Sequence, residues 1–348
     1  MTNSTTPAAT ENGSAVADDV ERMVADGAFL DAVEALTATY RQSPSPEAAQ
    51  RIVNLRHRAV AEVDGVDGRG SWPPVLEDPF PDVAGIPEID ADQITAAVLG
   101  GSILHHGGVL VRGFVESERA ERLLATVKSA LADRDALEDG AGSHTGGGRY
   151  WPFATVAPSV PPERAWVRHV GGMLMADAPE IMLELLDIFA DSGAAEAITG
   201  YLGERPALSY NKCVLRRLVE SSPTWHQDGA FMGADIRSVD VWLSLSHCGG
   251  DAPAPGLDLV PKRFEEILEV GTKGSIFPNS IGPGVIEEVS VDAPVETPRF
   301  APGDALVFDE RFVHRSSAER TFTEERYAVE SWFFAPSRFP ADYVPILV

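Results

Sequence analysis

An α+β protein with a mainly β core and helices on one outer face is the architecture the sequence predicts. Short β-rich runs separated by Gly, Pro and Asp turns fill the chain after Leu202. Helical periods dominate before it. The length of 348 residues suits one large core with an extension, or two domains. Many short strands with turn signals point to a barrel or sandwich, with the helices packed outside it.

Residues 1 to 17 are polar, lack a hydrophobic period and read as a disordered tail. From Asp18 to Arg41, the residues Val20, Met23, Val24, Leu30, Val33, Leu36 and Tyr40 recur at helical spacing. Pro44 and Pro46 interrupt this, and a second helix is expected from Glu47 to Val63. Gly65 to Pro87 is rich in Gly, Pro and Asp and reads as a linker or long ordered loop. Residues 18–89 are thus expected to form a helical extension, and residues 90–348 the main domain.

In the main domain, a helix capped by Asp90 or Asp92 carries Ile94, Val98 and Leu99. Val109 to Phe114 is a short buried strand, and Glu116 to Asp133 is helical with Leu123, Leu124, Val127 and Leu131 on one face. A glycine-rich loop, Gly140 to Gly148, leads into Arg149-Tyr150-Trp151, and a helix or helix pair covers Pro179 to Leu202. Strands are expected near 208–218, 224–228, 238–246, 257–260, 284–291, 305–309 and 326–335.

Composition narrows the function. Hydrophobic content of 44% and charged content of 23% are those of a soluble globular protein. No run approaches the roughly 18 apolar residues of a membrane span. The N-terminus lacks the basic start and apolar segment of a signal peptide, so a cytoplasmic protein is expected. A net charge of −25 repels phosphate backbones and argues against a nucleic-acid partner. Cys213 and Cys248 are too few for a disulfide framework or a thiolate metal cluster. Any metal must therefore be held by His and carboxylate.

Such a set is at hand in Thr224-Trp225-His226-Gln227-Asp228-Gly229. On a strand, His226 and Asp228 point to the same side. A distant third ligand is offered by His314, after the Gly303-Asp304 turn and the buried run Ala305-Leu306-Val307-Phe308. Two His and one carboxylate leave open positions on a metal, the arrangement of non-haem Fe(II) oxygenases. His-x-Asp alone is a weak pattern. The signal gains from the order of features: His-x-Asp, a Pro255-Gly256 turn, a Gly-Asp strand ending in His, then an Arg in the last strand. His57, His105 and His106 sit in helical or turn contexts and read as structural.

These features, with Val241-Trp242-Leu243-Ser244-Leu245 and Pro255-Gly256-Leu257-Asp258-Leu259-Val260-Pro261, give the chain its family resemblance. It resembles the phytanoyl-CoA dioxygenase superfamily of Fe(II)/2-oxoglutarate oxygenases over roughly residues 100–340, most strongly after 205. The first 90 residues match no family pattern. The resemblance implies a double-stranded β-helix of the jelly-roll or cupin kind, with Fe(II) held by His226, Asp228 and His314. It implies 2-oxoglutarate as cosubstrate with O₂, its far carboxylate bound by Arg326. Trp242 and Ser316 match positions that help hold the cosubstrate. The family chemistry releases succinate and CO₂ as an unactivated carbon of a small molecule is hydroxylated. The carboxylate of Asp228 favours hydroxylation over halogenation, since halogenating members carry a small residue there.

Arg326 competes with Arg315 and Arg320. Next to His314, Arg315 turns away from the metal side, and Arg320 lies in a polar hairpin loop. Arg326 opens the β-rich run Tyr327 to Phe334 and shares a face with Ala328 and, less comfortably, Glu330. On the substrate side, the glycine-rich loop with Tyr150 and Trp151 reads as a lid or as plain surface. Arg168, His169, Asn211 and Arg216 read as pocket lining or as structural. No Lys-rich segment invites the phosphates of a coenzyme A thioester. A non-catalytic ligand-binding barrel, or another cupin-type metal protein, stays open as an alternative. The oligomeric state is not encoded in any pattern.

Overall fold

The computed structural model describes residues 8–63, 72–140, 148–153, 164–218, 224–233, 235–318 and 322–348. Helix α1 (Ala8–Asp26) takes in part of the segment expected to be a disordered tail. The Ala-rich composition of this stretch supports the extra helical turns despite its polarity. The helix expected over 18–41 is in fact two, because the chain breaks at Gly27-Ala28 before α2 (Phe29–Gln42). Helix α3 (Pro46–Ala59) starts where Ser45 Oγ accepts the Ala48 N–H at 3.2 Å, with Pro46 in the first turn.

The extension and the main domain share one core. Ala49, Ile52, Val53 and Leu55 of α3 are buried in the same apolar cluster as the large sheet. Strand β1 (Glu88–Asp90) pairs in parallel with β2 (Gly108–Arg112), across the expected boundary at residue 90. Between them, α4 (Ala96–His106) is capped by Thr95, whose Oγ1 accepts the Val98 N–H, rather than by Asp90 or Asp92. Asp90 instead closes a capping box on the short turn Ala91–Gln93. His105 and His106 have the structural role expected of them. Through Leu76 O, Gly85 O and Asp78 they tie the linker to α4.

Helix α5 (Ser117–Glu138) follows, then the short α6 (Arg164–His169), β3 (Gly172–Leu174), α7 (Pro179–Asp191) and α8 (Ala194–Leu202). The β-rich half begins with β4 (Ala207–Ser209) and β5 (Val214–Leu218), separated by a turn. After the short α9 (Gly229–Met232) come β6 (Ser238–Ser244), β7 (Cys248–Gly249) and β8 (Leu257–Arg263). Next is α10 (Pro283–Val289), where a strand was expected. Pro283 in the first turn and the spacing of Val285, Ile286 and Val289 suit one helical face, which a short β-branched run conceals. Strands β9 (Arg299–Phe300), β10 (Ala305–Phe308), β11 (Phe312–Ser316), β12 (Arg326–Phe334) and β13 (Pro345–Leu347) complete the chain.

The large mixed sheet runs β1-β2-β10-β6-β12-β4-β13, with β12 also paired to β5 and β5 to β3. A smaller sheet of β8 and β11 is widened by bridges from His226 to His314 and from Trp225 to Ile281. Leu110, Trp242, Leu306, Phe308 and Ala328 of the large sheet meet Leu257, Leu259 and Phe312 of the small one, so the two sheets face each other. The other face of the large sheet presents Val239, Val241, Leu243, Val329 and Phe333 to the helices. Phe189 of α7 meets Phe333 edge-on at 4.9 Å. Both faces of β6 are therefore covered, and all seven of its residues are buried. Helix α10 covers the outside of the small sheet through Val285 and Ile286 against Trp225, Val260 and Val313. No described helix is long and apolar enough to cross a membrane.

The C-terminal strand is held by the extension: Arg56 Nη1 donates to Leu347 O at 2.9 Å and His57 Nδ1 to Pro345 O at 2.7 Å. This shared packing makes a stability prediction. Ile52, fully buried in the common core, should cost about 2–5 kcal/mol when replaced by Ala. The expected readout is a lowered midpoint in a single denaturant transition. A separate, earlier transition of the helices alone would show that the extension folds independently.

Candidate metal and anion site

His226, Asp228 and His314 meet in the structure, with one potential ligand atom from each lying within 4.8 Å of the others. His226 Nε2 is 3.7 Å from Asp228 Oδ1. The two imidazole centroids are 4.4 Å apart. The backbone forces this meeting: His226 and His314 exchange N–H to carbonyl bonds at 3.0 and 3.1 Å. Each Nδ1–H donates to its own chain, at Thr224 O (2.9 Å) and Phe312 O (3.2 Å). That fixes the tautomer and leaves both Nε2 lone pairs free for a metal.

Asp228 reaches the site by a different path from the one expected. The strand over 224–228 is only a bridged pair, Trp225 and His226, and Asp228 already has helical backbone at the start of α9. Buried Gln227 fixes this turn by donating to Arg311 O at 2.6 Å and accepting the Leu268 N–H at 2.7 Å. Gly229 follows because a Cβ there would lie 2.6 Å from Ile267 Cδ1 and 3.1 Å from Glu310 O. His314, expected to end the strand from Ala305, belongs to a strand of its own. Asp309-Glu310-Arg311 turns the chain from β10 in the large sheet to β11 in the small one.

The electrostatics suit a cation. Burial pushes the Asp228 carboxyl up to about 8, helped by Glu330 and Glu310. Burial also lowers His226, and lowers His314 strongly with His226 beside it, so both rings are neutral donors. Two neutral imidazoles and a buried carboxylate form a fitting donor set for a divalent first-row metal.

A second feature between the same two sheets suits an anion. Arg326 is 1% exposed, at the start of β12. Its Nη1 donates to Gly256 O at 2.9 Å and its Nη2 to Ser316 Oγ at 3.1 Å, while Nε has no partner. No carboxylate among the described residues forms an ion pair with it, and burial lowers it to about 10. The guanidinium lies 5.4 Å from the Trp242 ring centre, and Trp242 Nε1 is also buried without a partner. A buried cation left uncompensated is costly, so this place is complete only with an anion. Gly256 leaves no room for a side chain, since a Cβ there would lie 2.3 Å from Gly249 Cα.

The structure thus brings Trp242, Ser316 and Arg326 together. Arg315 turns away from the metal cluster, pairing with Asp258 at 2.9 Å and lying 4.5 Å from the Trp225 ring centre. Arg320 lies outside the described residues, as do residues 141–147 of the glycine-rich loop. Trp151 N–H donates to Asp177 O at 2.7 Å. Arg168 and His169 are exposed on α6, and Arg168 pairs with Glu138. Asn211 is structural: its Oδ1 accepts the Val344 N–H at 2.7 Å.

Glu330 does share the Arg326 face, and Arg216 grips it in two-point contact at 2.9 and 2.6 Å. Burial raises the Glu330 carboxyl, but Arg216 outweighs it and holds the group below the usual range. Sequence reading missed Asp240, which burial and Asp228 push well up and whose Oδ2 accepts the Trp332 Nε1–H at 3.0 Å. Alternation along Ser238-Val239-Asp240-Val241-Trp242 was the available signal, since Trp242 already faced inward. Phe231 was missed as well. It is 41% exposed, with its centroid 6.2 Å from that of His226.

No protein-family model and no curated protein matches the chain. Among solved structures it is similar to EctD from S. alaskensis, crystallised with 2-oxoglutarate and 5-hydroxyectoine. That likeness has 14% identity and a TM-score of 0.51, and covers 79% of this chain and 87% of that one. AviO1 from Streptomyces viridochromogenes Tue57 is similar at 15% identity and a TM-score of 0.45, covering 72% of this chain and 99% of that one. EvdO2 from Micromonospora carbonacea var. aurantiaca, complexed with 2-oxoglutarate, is similar at 17% identity and a TM-score of 0.45, covering 72% and 91%. The likeness to EctD is one of fold: a helix-backed large sheet closed by a smaller one.

Proposed function

We propose that the chain is a cytoplasmic, mononuclear non-haem Fe(II) and 2-oxoglutarate-dependent oxygenase of the phytanoyl-CoA dioxygenase-like group, its facing sheets a double-stranded β-helix. One observation carries the reading: a two-His, one-carboxylate cluster lies between the same facing sheets as a buried arginine that lacks an anionic partner among the described residues. A metal alone would leave Arg326 uncompensated, and an anion alone would leave Asp228 so. A metal with a dicarboxylate satisfies both. That EctD was crystallised with 2-oxoglutarate, in the same fold, supports the choice of diacid.

His226, Asp228 and His314 hold the iron in this reading. Arg326 receives the far carboxylate of 2-oxoglutarate, since a guanidinium fork matches a carboxylate. Ser316 orients that fork by accepting one of its N–H groups. Trp242 walls the chamber and offers its unpaired N–H to the diacid. Iron with 2-oxoglutarate and O₂ supplies the oxidising power, yielding succinate and CO₂ as a C–H bond of the substrate is oxidised. The chain's own part is to place that bond and exclude water. The apolar residues between the sheets, Leu257, Leu259, Phe308 and Phe312, serve the second task. With Asp228 occupying a metal position, hydroxylation is favoured over halogenation.

Two experiments test this. His226→Ala and His314→Ala should each lose bound iron and turnover while keeping a cooperative melt; iron retained at wild-type stoichiometry would exclude the ligand assignment. Arg326→Ala should keep iron but weaken 2-oxoglutarate binding by about 2–5 kcal/mol, read in titrations followed by succinate release. Arg315→Ala, its neighbour in sequence order, should change 2-oxoglutarate binding little. The reverse ranking would move the anchor to Arg315.

A further inference from the structure

Strand β12 sets out the cavity like a ruler. Arg326, Ala328, Glu330 and Trp332 alternate onto its inner face. At about 3.3 Å per residue, Arg326 and Glu330 lie roughly 13 Å apart along the strand. A cosubstrate spanning the metal and Arg326 therefore uses one end. The other end holds Glu330, gripped by Arg216, and then Trp332, whose ring lies 5.9 Å from that of Phe231. Phe231 reaches back to His226. Nothing in the metal or cosubstrate assignment uses these groups.

We infer that this end is the substrate's seat, and that it takes a non-anionic small molecule whose hydroxyl or ammonium group donates to Glu330 while its C–H face lies on Phe231. The inference rests on the oxygenase reading above. Three observations lead to it.

First, the guanidinium at this end is already paired. Arg216 spends Nε and Nη2 on Glu330 and Nη1 on Val170 O at 2.8 Å. Second, acceptors are in excess. Each Glu330 oxygen takes one Arg216 bond and keeps a lone pair, since a carboxylate offers about four acceptor sites. Third, no positive charge is left over, and Asp240 adds none in either protonation state. A divalent metal offsets a dianionic diacid, Arg326 offsets Asp228, and Arg216 offsets Glu330. An anionic substrate would make the enclosed site net negative, whereas a neutral or cationic one would not. The half-exposed ring of Phe231 then supplies an apolar or cation-attracting face beside the metal.

The test uses three probes of one size: cyclohexylmethanol, cyclohexylmethylamine and cyclohexanecarboxylate. Each is titrated calorimetrically, without O₂, into the full chain loaded with Fe(II) and 2-oxoglutarate. The alcohol or the amine should bind at least tenfold more tightly than the carboxylate. A lead of the amine over the alcohol identifies an ammonium substrate, and parity identifies a hydroxyl. Glu330→Gln releases the Arg216 fork, so the preference should fall by tenfold or invert toward the carboxylate. A role of Glu330 in folding alone would weaken all three probes equally. Phe231→Ala should weaken all three by several-fold while keeping their order. If Glu330→Gln does not fold, the wild-type ranking still decides. Equal binding of the three probes, no binding by any, or preference for the carboxylate overturns the inference. Failure of 2-oxoglutarate itself to bind with Fe(II), in the preceding titration, overturns the oxygenase reading and this inference with it.

Discussion

Alternation along β12 is the constraint on which the rest of the molecule depends. The strand is central, paired with β6 on one side and with β5 and β4 on the other. Its outward residues Tyr327, Val329 and Phe333 join the helical core. Its inward residues carry charge and aromatic surface into the cavity. A slip of one residue would exchange these sets, burying Arg326 and Glu330 against α7 and turning Val329 toward the metal cluster. The large apolar core thus does more than stabilise the sheet. It fixes the register that puts a guanidinium at one end of the cavity and a carboxylate at the other.

The cavity this creates is electrostatically unfinished. Asp228 and Asp240 are buried carboxyls pushed upward by desolvation, helped by Glu330 and Glu310 at Asp228 and by Asp228 and Glu330 at Asp240, and Arg326 is a buried guanidinium pushed downward. In an ordinary core such groups would be paired or replaced by apolar ones. Elsewhere among the described residues, several buried charges are paired. Arg263 and Asp309 meet at 2.6 Å, and Arg315 and Asp258 at 2.9 Å. The contrast places the incomplete groups together around His226 and His314, where a metal and a dicarboxylate would complete them.

The second sheet is held to the first through short, tightly specified turns. Asp304 accepts from Arg112 Nη1 at 2.7 Å, Gly113 N–H at 3.0 Å and Ala301 N–H at 2.9 Å, fixing entry into β10. Gly303 has φ of +94°, and a Cβ there would sit 2.1 Å from Val115 O, so the Gly-Asp pair is required by both conformation and space. Asp309 then turns the chain across to β11, its Oδ1 accepting the Arg311 N–H at 3.0 Å. His314 reaches the metal cluster because this crossover is short and rigid.

The sequence by itself singled out the candidate site residues and their order. His226, Asp228, His314 and Arg326 were legible as candidates from the order of motifs along the chain, which is a local property. The helical first half and β-rich second half were legible for the same reason. Local reading failed where a short segment has two solutions, as at α10, or where one turn redirects the chain, as at Asp228 and at the β10 to β11 crossover. Tertiary structure alone decided that the helices within residues 18–63 join the common core. It also decided which charges are paired: Glu330, awkward beside Arg326, meets Arg216 from a strand 114 residues away. Arg326 meets none, and the two arginines look alike in sequence. Strand pairing over that separation is set by the summed packing of the sheet, which no local pattern records, and it is what gives Glu330 a cationic partner and leaves Arg326 without a carboxylate one among the described residues.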